Sequence, residues 1–397
     1  MAKKKTQNKG TTAQDRLEAV VGQLNERFPE RAPVVNGLMV GAISRKHCCL
    51  FGPPGTAKSL IVRTWAEAVY GNNGAFWQWL FTKFTTPSEV FGPISFQALK
   101  QDRYEHNTTG KAPEARVWFC DEIFKANSSI LNALLTAINE RLFFNGANVV
   151  KLPLETVVGA SNEYPQDESL EALYDRFLLR FWVPYIGNRD ALSDLILAGG
   201  VAPMTASLET GDIAELREAA ENVPFGKSQV GTLLDVKAAI EDEGFAVSDR
   251  AWVQAPGLIR ANAIVRGRDK VIASDYMILA DSLWKEATDR AKLAKTIGNA
   301  ADPYGSRAEA IIDAVKTAVR ELPDLSLLKN NQKTKGAMTT LVAEVSAKLN
   351  GLDDKMKALE SEAGAAASDT IAEARGTLEE ALTGADERAL EIVRFRG

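Results

Sequence analysis

The sequence predicts an α/β protein: a parallel sheet covered by helices, then an all-helical domain, then a helical C-terminal extension. Three observations carry this reading. Helical and strand patterns alternate from Asp15 to about Val183. A glycine-rich loop, Gly52 to Ser59, stands between a short apolar run and a helical segment. After Asn188 the strand patterns stop.

Met1 to Gly10 is lysine-rich and polar, so residues 1–14 are expected to form a disordered basic tail. Cys48 to Phe51 is a short apolar strand ending at glycine, and Ser59 to Tyr70 is a helix stopped by Gly71. Val117 to Cys120 is a second buried strand. Asn127 caps a helix in which Ile130, Leu131, Leu134, Leu135, Ile138 and Leu142 recur at helical spacing. Asn145-Gly146, flanked by apolar residues, marks a hairpin. Thr156 to Ala160 and Phe177 to Val183 complete the strands. Helices follow over Ala214 to Asn222, Gln229 to Glu241, Asp249 to Arg266 and Ser274 to Asp289. From about Asp302 the chain turns rich in alanine, glutamate and lysine. Leu341, Val345, Leu349, Leu352, Met356 and Leu359 suggest a helical hairpin or short coiled coil, with a break at Gly364 to Ala367. The expected domains are 15–195 (α/β), 208–292 (helical) and 300–397 (the extension).

The chain has 397 residues, 45% of them hydrophobic, and a net charge of −5. That balance argues against a general nucleic-acid binder. No apolar run reaches the ~20 residues that span a bilayer. Cys48, Cys49 and Cys120 form neither a disulfide framework nor a zinc spacing, and a cytoplasmic location is expected. His47 beside the first strand reads as structural.

The chemistry is concentrated in two segments. Gly52-Pro53-Pro54-Gly55-Thr56-Ala57-Lys58-Ser59, running into Leu60, has the form of a phosphate-binding loop. Its backbone N–H groups and the following helix N-terminus would hold the phosphates of ATP. Lys58 would reach the β- and γ-phosphates, and the Ser59 hydroxyl would ligate Mg2+. Ala57 stands where glycine is usual before the lysine, so glycine's backbone freedom is lost there. Val117-Trp118-Phe119-Cys120-Asp121-Glu122 is an apolar strand ending in paired carboxylates. Asp121 would hold the magnesium and Glu122 would orient or polarise the attacking water.

Further motifs carry a family resemblance. They are Phe84-Thr85-Thr86-Pro87-Ser88-Glu89-Val90-Phe91-Gly92-Pro93, Asp121 to Ala126, Leu134 to Arg141, Ala160-Ser161-Asn162-Glu163, and Leu170 to Phe177. With them the chain resembles the MoxR group of AAA+ ATPases, nearest its RavA (regulatory ATPase variant A) branch, and the GPPGTAKS form, alanine included, resembles that group too. The resemblance implies an AAA+ P-loop core with a helical lid. It implies sensor 1 at Asn162, an arginine finger at Arg176 with Arg180 as the competing candidate, and sensor 2 at Arg250. It also implies inserts at Phe91 to about Lys111 and Leu142 to Leu152, whose Phe91, Phe96, Tyr104, Phe143 and Phe144 would face a client or pack together.

The same resemblance implies a ring, in that family usually a hexamer, that hydrolyses ATP and remodels or matures a protein complex in a chaperone-like role with a von Willebrand factor A-domain partner. The RavA branch carries a β-rich module after the core, whereas residues 302–397 look entirely helical. Two alternatives stay open: a metal-chelatase ATPase subunit, and a nucleic-acid motor, for which the inserts carry few basic residues.

Overall fold

The computed structural model describes residues 11–71, 75–165, 168–198, 200, 203–323, 332–363 and 369–394. The expected tail at Met1 to Gly10 and the break at Gly364 to Ala367 lie outside them. Two compact units emerge, Met1–Ala294 and Lys295–Gly397.

The first unit opens with α1 (Ala13–Arg27) and α2 (Ala32–Ser44). Thr12 and Asp15 form a capping box on α1, and Pro33 stands in the first turn of α2. Strand β1 (Cys48–Phe51) then leads through the glycine-rich loop to α3 (Lys58–Tyr70). Next come β2 (Phe76–Leu80), the short helices α4 (Pro87–Phe91) and α5 (Phe96–Leu99), and β3 (Val117–Asp121). Helix α6 (Ser128–Glu140), capped by Asn127, is followed by the hairpin β4 (Leu142–Asn145) and β5 (Asn148–Lys151). Strand β6 (Thr156–Ser161), α7 (Glu168–Tyr174) and β7 (Leu179–Trp182) complete the α/β part.

The main sheet is parallel with strand order β2-β3-β6-β1-β7. Its three central strands are mostly apolar and buried except at Asp121, as a sheet covered on both faces requires. Strand β2 was not expected. Its run Phe-Trp-Gln-Trp-Leu shows no clean alternation because it is an edge strand covered unevenly, with Trp77 buried and Leu80 58% exposed. The hairpin turn falls one residue later than the Asn145-Gly146 signal, since Asn145 still pairs with Asn148.

Hairpin and insert form one structure. The Asn145 side chain accepts from His106 N (2.5 Å) and donates to His106 O (3.1 Å), copying a strand pairing. Gly146, at φ +65°, lies so near Tyr104 that a Cβ would meet the Tyr104 carbonyl oxygen at 2.0 Å. The aromatics divide: Phe91 and Phe143 are buried and stacked at 5.1 Å, while Phe96, Tyr104 and Phe144 are exposed.

After β7 come α8 (Arg189–Leu197), α9 (Asp212–Asn222), α10 (Lys227–Asp242) and α11 (Asp249–Val265). The single helix expected over Ser274 to Asp289 is instead a 3-10 segment, Ala273–Asp281, and an irregular stretch before α12 (Asp289–Ala301). Buried Asp275 accepts from Ile272 N and Asn262 and pairs with Arg268, and Asp281 pairs with Arg290 (2.5 Å). Those side-chain bonds favour tight turns over continued α-helix.

In the second unit, α13 (Pro303–Arg320), α14 (Gln332–Ala363) and α15 (Asp369–Arg394) pack as three helices. Val345, Leu349, Met356 and Leu359 of the expected seam are in its core with Val315, Ile371 and Leu378. The expected two-helix pairing is thus completed by a third helix. Arg375 clasps Glu360 through two nitrogens (2.8 and 2.5 Å) and Asp353 through the third (2.5 Å).

Candidate active site at the carboxyl ends of the strands

In register, Leu50 and Asp121 both stand opposite Ala160, so β1, β3 and β6 end side by side. The segments that follow them, Gly52–Ala57, Glu122 and Asn162, therefore share one edge. Ligands of open parallel sheets bind at this edge.

Gly52 has φ +143°, and a Cβ there would meet the Val183 carbonyl oxygen at 2.3 Å. Glycine is required because the chain leaving β7 crosses directly beneath the loop. Ala57 is left-handed (φ 65°, ψ 20°) and caps α3 without a side-chain hydrogen bond. The first N–H groups of α3 thus face outward for an anion. The backbone there does need glycine-like geometry, and alanine adopts it at a cost of roughly 1–2 kcal/mol. Thr56 is buried and its hydroxyl donates to Pro53 O (3.0 Å), tightening the turn. Ser59 is half-buried and Leu60 partly exposed at the start of α3.

The Lys58 ammonium donates to Gly52 O (2.7 Å), Pro53 O (2.9 Å) and Asn162 Oδ1 (3.2 Å). Burial lowers its pKa, against the pull of Asp121 and Glu122. Asn162 Nδ2 donates to Glu122 Oε1 (2.7 Å), and Glu122 Oε2 lies 3.2 Å from Lys125 Nζ. One polar string thus runs Lys58–Asn162–Glu122 across three strand ends. Glu122 sits in the left-handed region (φ 52°, ψ 42°), which turns its side chain out of the strand direction.

Burial, then the neighbouring Glu122, raises the Asp121 pKa. Two adjoining carboxylates at a half-buried edge fit a divalent cation, which would relieve both terms. No group of three or more His, Cys, Asp or Glu side chains among the described residues forms a metal cage. That donor set fits Mg2+, which keeps waters and takes phosphate oxygens with one or two protein ligands. Asp121 and the Ser59 hydroxyl are the residues placed to contribute.

Beside the loop lies a cavity of about 390 Å3. Phe28, Pro29, Leu60, Tyr185, Ile186 and Leu192 give it apolar walls, with Gly55 to Ala57 at one side. Buried Arg31 donates to Pro184 O (2.5 Å), and Glu30 accepts from Gly187 N (2.9 Å) and Asn188 N (2.7 Å). These bonds tie the α1–α2 turn to the chain beyond β7. Sequence reasoning missed these residues. Phe28-Pro29 between two helices and Tyr185-Ile186 just past a strand are the only local traces, and their meeting is a long-range event.

The arginines lie elsewhere. Leu179 of β7 pairs with Cys48 at the start of β1, so the turn before β7 is at the amino-terminal end of the sheet. Arg176 there donates to Asn139 Oδ1 (2.8 Å) and to Ala172 O, and burial followed by the nearby Arg250 lowers its pKa. Arg250 pairs with Asp175 (3.5 Å), not with the phosphate loop, so the expected sensor 2 stands beside the expected finger. Arg180 is buried and donates to Phe177 O (2.9 Å), Trp284 O (2.6 Å) and Tyr174 O (3.5 Å), over the Tyr174 ring. His47 is buried, accepts from Val157 N at Nδ1 (2.9 Å) and donates from Nε2 to Ile138 O (3.1 Å).

Comparison with known proteins bears on the family and the fold. Residues 15–220 match the model described as the MoxR domain in the MoxR-vWA-beta-propeller ternary systems, and residues 229–297 match an AAA lid domain. An uncharacterised protein of Methanocaldococcus jannaschii is 33% identical over 349 residues, covering 87% of this chain and 92% of that one. Chaperone MoxR1 of Mycobacterium tuberculosis is 30% identical over 283 residues, 66% of this chain and 72% of that one. The crystal structure of a putative ATPase from Cytophaga hutchinsonii superposes with a TM-score of 0.57 at 20% identity, over 72% of this chain and 94% of that one, which speaks to fold alone. A family match across residues 15–220, a lid match after it and a relative one-third identical along nearly its whole length place this chain in the MoxR family of AAA+ ATPases.

Proposed function

We propose that the chain hydrolyses ATP with Mg2+ as one subunit of a hexameric ring, and that turnover remodels a protein client. The observation that carries this is the Lys58–Asn162–Glu122 string, which joins a phosphate-binding lysine to a carboxylate that can align water. Magnesium, when bound, neutralises charge on the phosphates. Glu122 orients the attacking water, Asn162 fixes Glu122, and Lys58 with the α3 N-terminus holds the phosphates. The apolar cavity takes the base.

Arg176 supports the ring. It is separated from the phosphate loop by the four-residue length of β1, about 13 Å of strand, and lies at the opposite end of the sheet. Such an arginine serves another copy's site better than its own. Arg180, each of whose three nitrogens donates to a backbone carbonyl and which is buried, is the weaker finger candidate. Arg250, beside Arg176, would act across the same boundary.

The partner proposal is a von Willebrand factor A-domain protein, after the description of the matching family model, and a chaperone-like role follows the name of the mycobacterial relative. Placement near the RavA branch rests on the sequence motifs. The described residues of the second unit are helical, so a β-rich module is not part of the proposal.

The test is subunit mixing. Per-subunit ATPase activity should rise with protein concentration and then level off. Arg176→Ala and Glu122→Gln should each bind ATP but lose about a hundredfold or more in turnover. Mixed together they should regain activity, because a Glu122→Gln subunit lends its arginine to an Arg176→Ala site. No recovery, with a flat concentration dependence, would sink the shared site.

A further inference from the structure

A cleft of about 290 Å3 lies between the carboxyl end of α2 and one face of α11. Arg45, Lys46, Arg217 and Arg260 line it, with Glu221 as the carboxylate on its wall. Arg217 and Arg45 reach Glu155 (2.8 and 3.5 Å). Among the described residues Arg260 hydrogen-bonds only backbone carbonyls, those of Pro256 (3.3 Å) and Glu221 (3.2 Å), and lies 6.0 Å from the Phe225 ring. The half-buried Lys46 ammonium has no hydrogen-bond or ion-pair partner among the described residues. Desolvation, then nearby Arg141 and Arg250, lowers its pKa.

Cations after a helix carboxyl terminus ordinarily answer its dipole, and Arg217 does cap Ala42 and Ile43. That dipole amounts to roughly half an elementary charge. Set against four cations, it and the two carboxylates leave an excess of about one and a half charges. The chain as a whole is net negative at −5, so the concentration is local. Arg250, Val253, Gln254, Gly257 and Arg260 follow helical spacing along α11, so the helix face that lines the cleft also carries Arg250, which pairs with Asp175.

We propose that this cleft is a second phosphate-binding site, at the end of the sheet opposite the phosphate loop, with Lys46 and Arg260 as its principal ligands for a polyphosphate. The polyphosphate is either the triphosphate held by a second copy of the chain or a free polyphosphate compound. The first source rests on the ring reading above; the second does not.

The test starts with the full chain carrying Lys58→Ala, which disables the phosphate loop. Calorimetric titration with tripolyphosphate should show one binding event. Adding Lys46→Gln should weaken it tenfold or more, and Lys46→Arg should restore it. Binding that is absent, or unchanged by Lys46→Gln, overturns the proposal. ATPase assays on chains with an intact loop then separate the sources. If the neighbour's nucleotide is the ligand, Lys46→Gln lowers turnover at saturating ATP about tenfold, and mixing with Glu122→Gln restores it. If a free polyphosphate is the ligand, Lys46→Gln leaves turnover unchanged while tripolyphosphate binding is lost. Failure of the Arg176→Ala and Glu122→Gln mixture would count against the ring alone.

Discussion

Replacing His47 with glutamine should flatten the acid limb of the stability profile. The neutral ring is satisfied on both sides, accepting from Val157 N and donating to Ile138 O. A proton on Nδ1 would confront the Val157 N–H, and burial, then Arg141, lowers the pKa to about 3. The folded pKa is below the unfolded value near 6.5, so folding favours the neutral ring. The stability it contributes is complete above about pH 6.5 and is lost as pH falls toward 3. At about 1.36 kcal/mol per unit, the loss is roughly 2 kcal/mol at pH 5 and approaches 5 kcal/mol at pH 3. For a unit of this size, 2 kcal/mol is a fall of about 3 °C in Tm. All seven tryptophans precede Ala294, so tryptophan fluorescence during urea unfolding reports this unit alone. Measured at pH 8, 6.5, 5.5 and 5, the natural chain should lose stability steeply below 6.5. His47→Gln should be less stable at pH 8 yet change little down to pH 5. Equal slopes for the two proteins would refute the argument.

Ala57→Gly should relieve roughly 1–2 kcal/mol of left-handed strain against about 0.5–1 kcal/mol of added chain entropy. The expected net is a Tm gain of one to three degrees with ATP still bound; a clear fall in Tm would contradict the strain. Asn162→Ala should cut turnover tenfold to a hundredfold while nucleotide affinity moves less than threefold, and unchanged turnover in a steady-state assay would remove Asn162 from the chemistry. Arg180→Lys should lower unfolding stability by about 2–3 kcal/mol, since one ammonium cannot serve three carbonyls around a buried site. An Arg180→Lys chain of normal stability that fails only in assembled, concentration-dependent turnover would instead make Arg180 the shared arginine.

The phosphate loop and the paired carboxylates were legible because their chemistry demands particular residues at fixed spacing. Gly52 to Ser59 needs tight turns and a lysine, and Asp121-Glu122 needs an apolar strand before it. Asn162 was legible through the family resemblance, and the structure places it between Lys58 and Glu122. Strand β2 was not legible, because an edge strand buried mostly at Trp77 gives neither alternation nor a fully apolar run of useful length. The apolar cavity beside the loop was hidden for another reason: Phe28 and Tyr185 are brought together by Glu30 and Arg31 bonding across more than 150 residues. Arg250's location depends on the path of the helices after β7, which no local pattern records. The 3-10 segment at Ala273–Asp281 follows from two buried aspartates whose partners, Arg268 and Arg290, ordinary helical spacing does not reveal.

The Asn145–His106 pairing has a mechanical consequence. Helix α6 starts six residues beyond Glu122 and runs for 13 residues, about 20 Å, its last turn holding Asn139, which accepts from Arg176. It passes directly into β4, whose last residue grips the insert. Exposed Phe96, Tyr104 and Phe144 are therefore carried on one bonded assembly whose other end follows Glu122 in the chain.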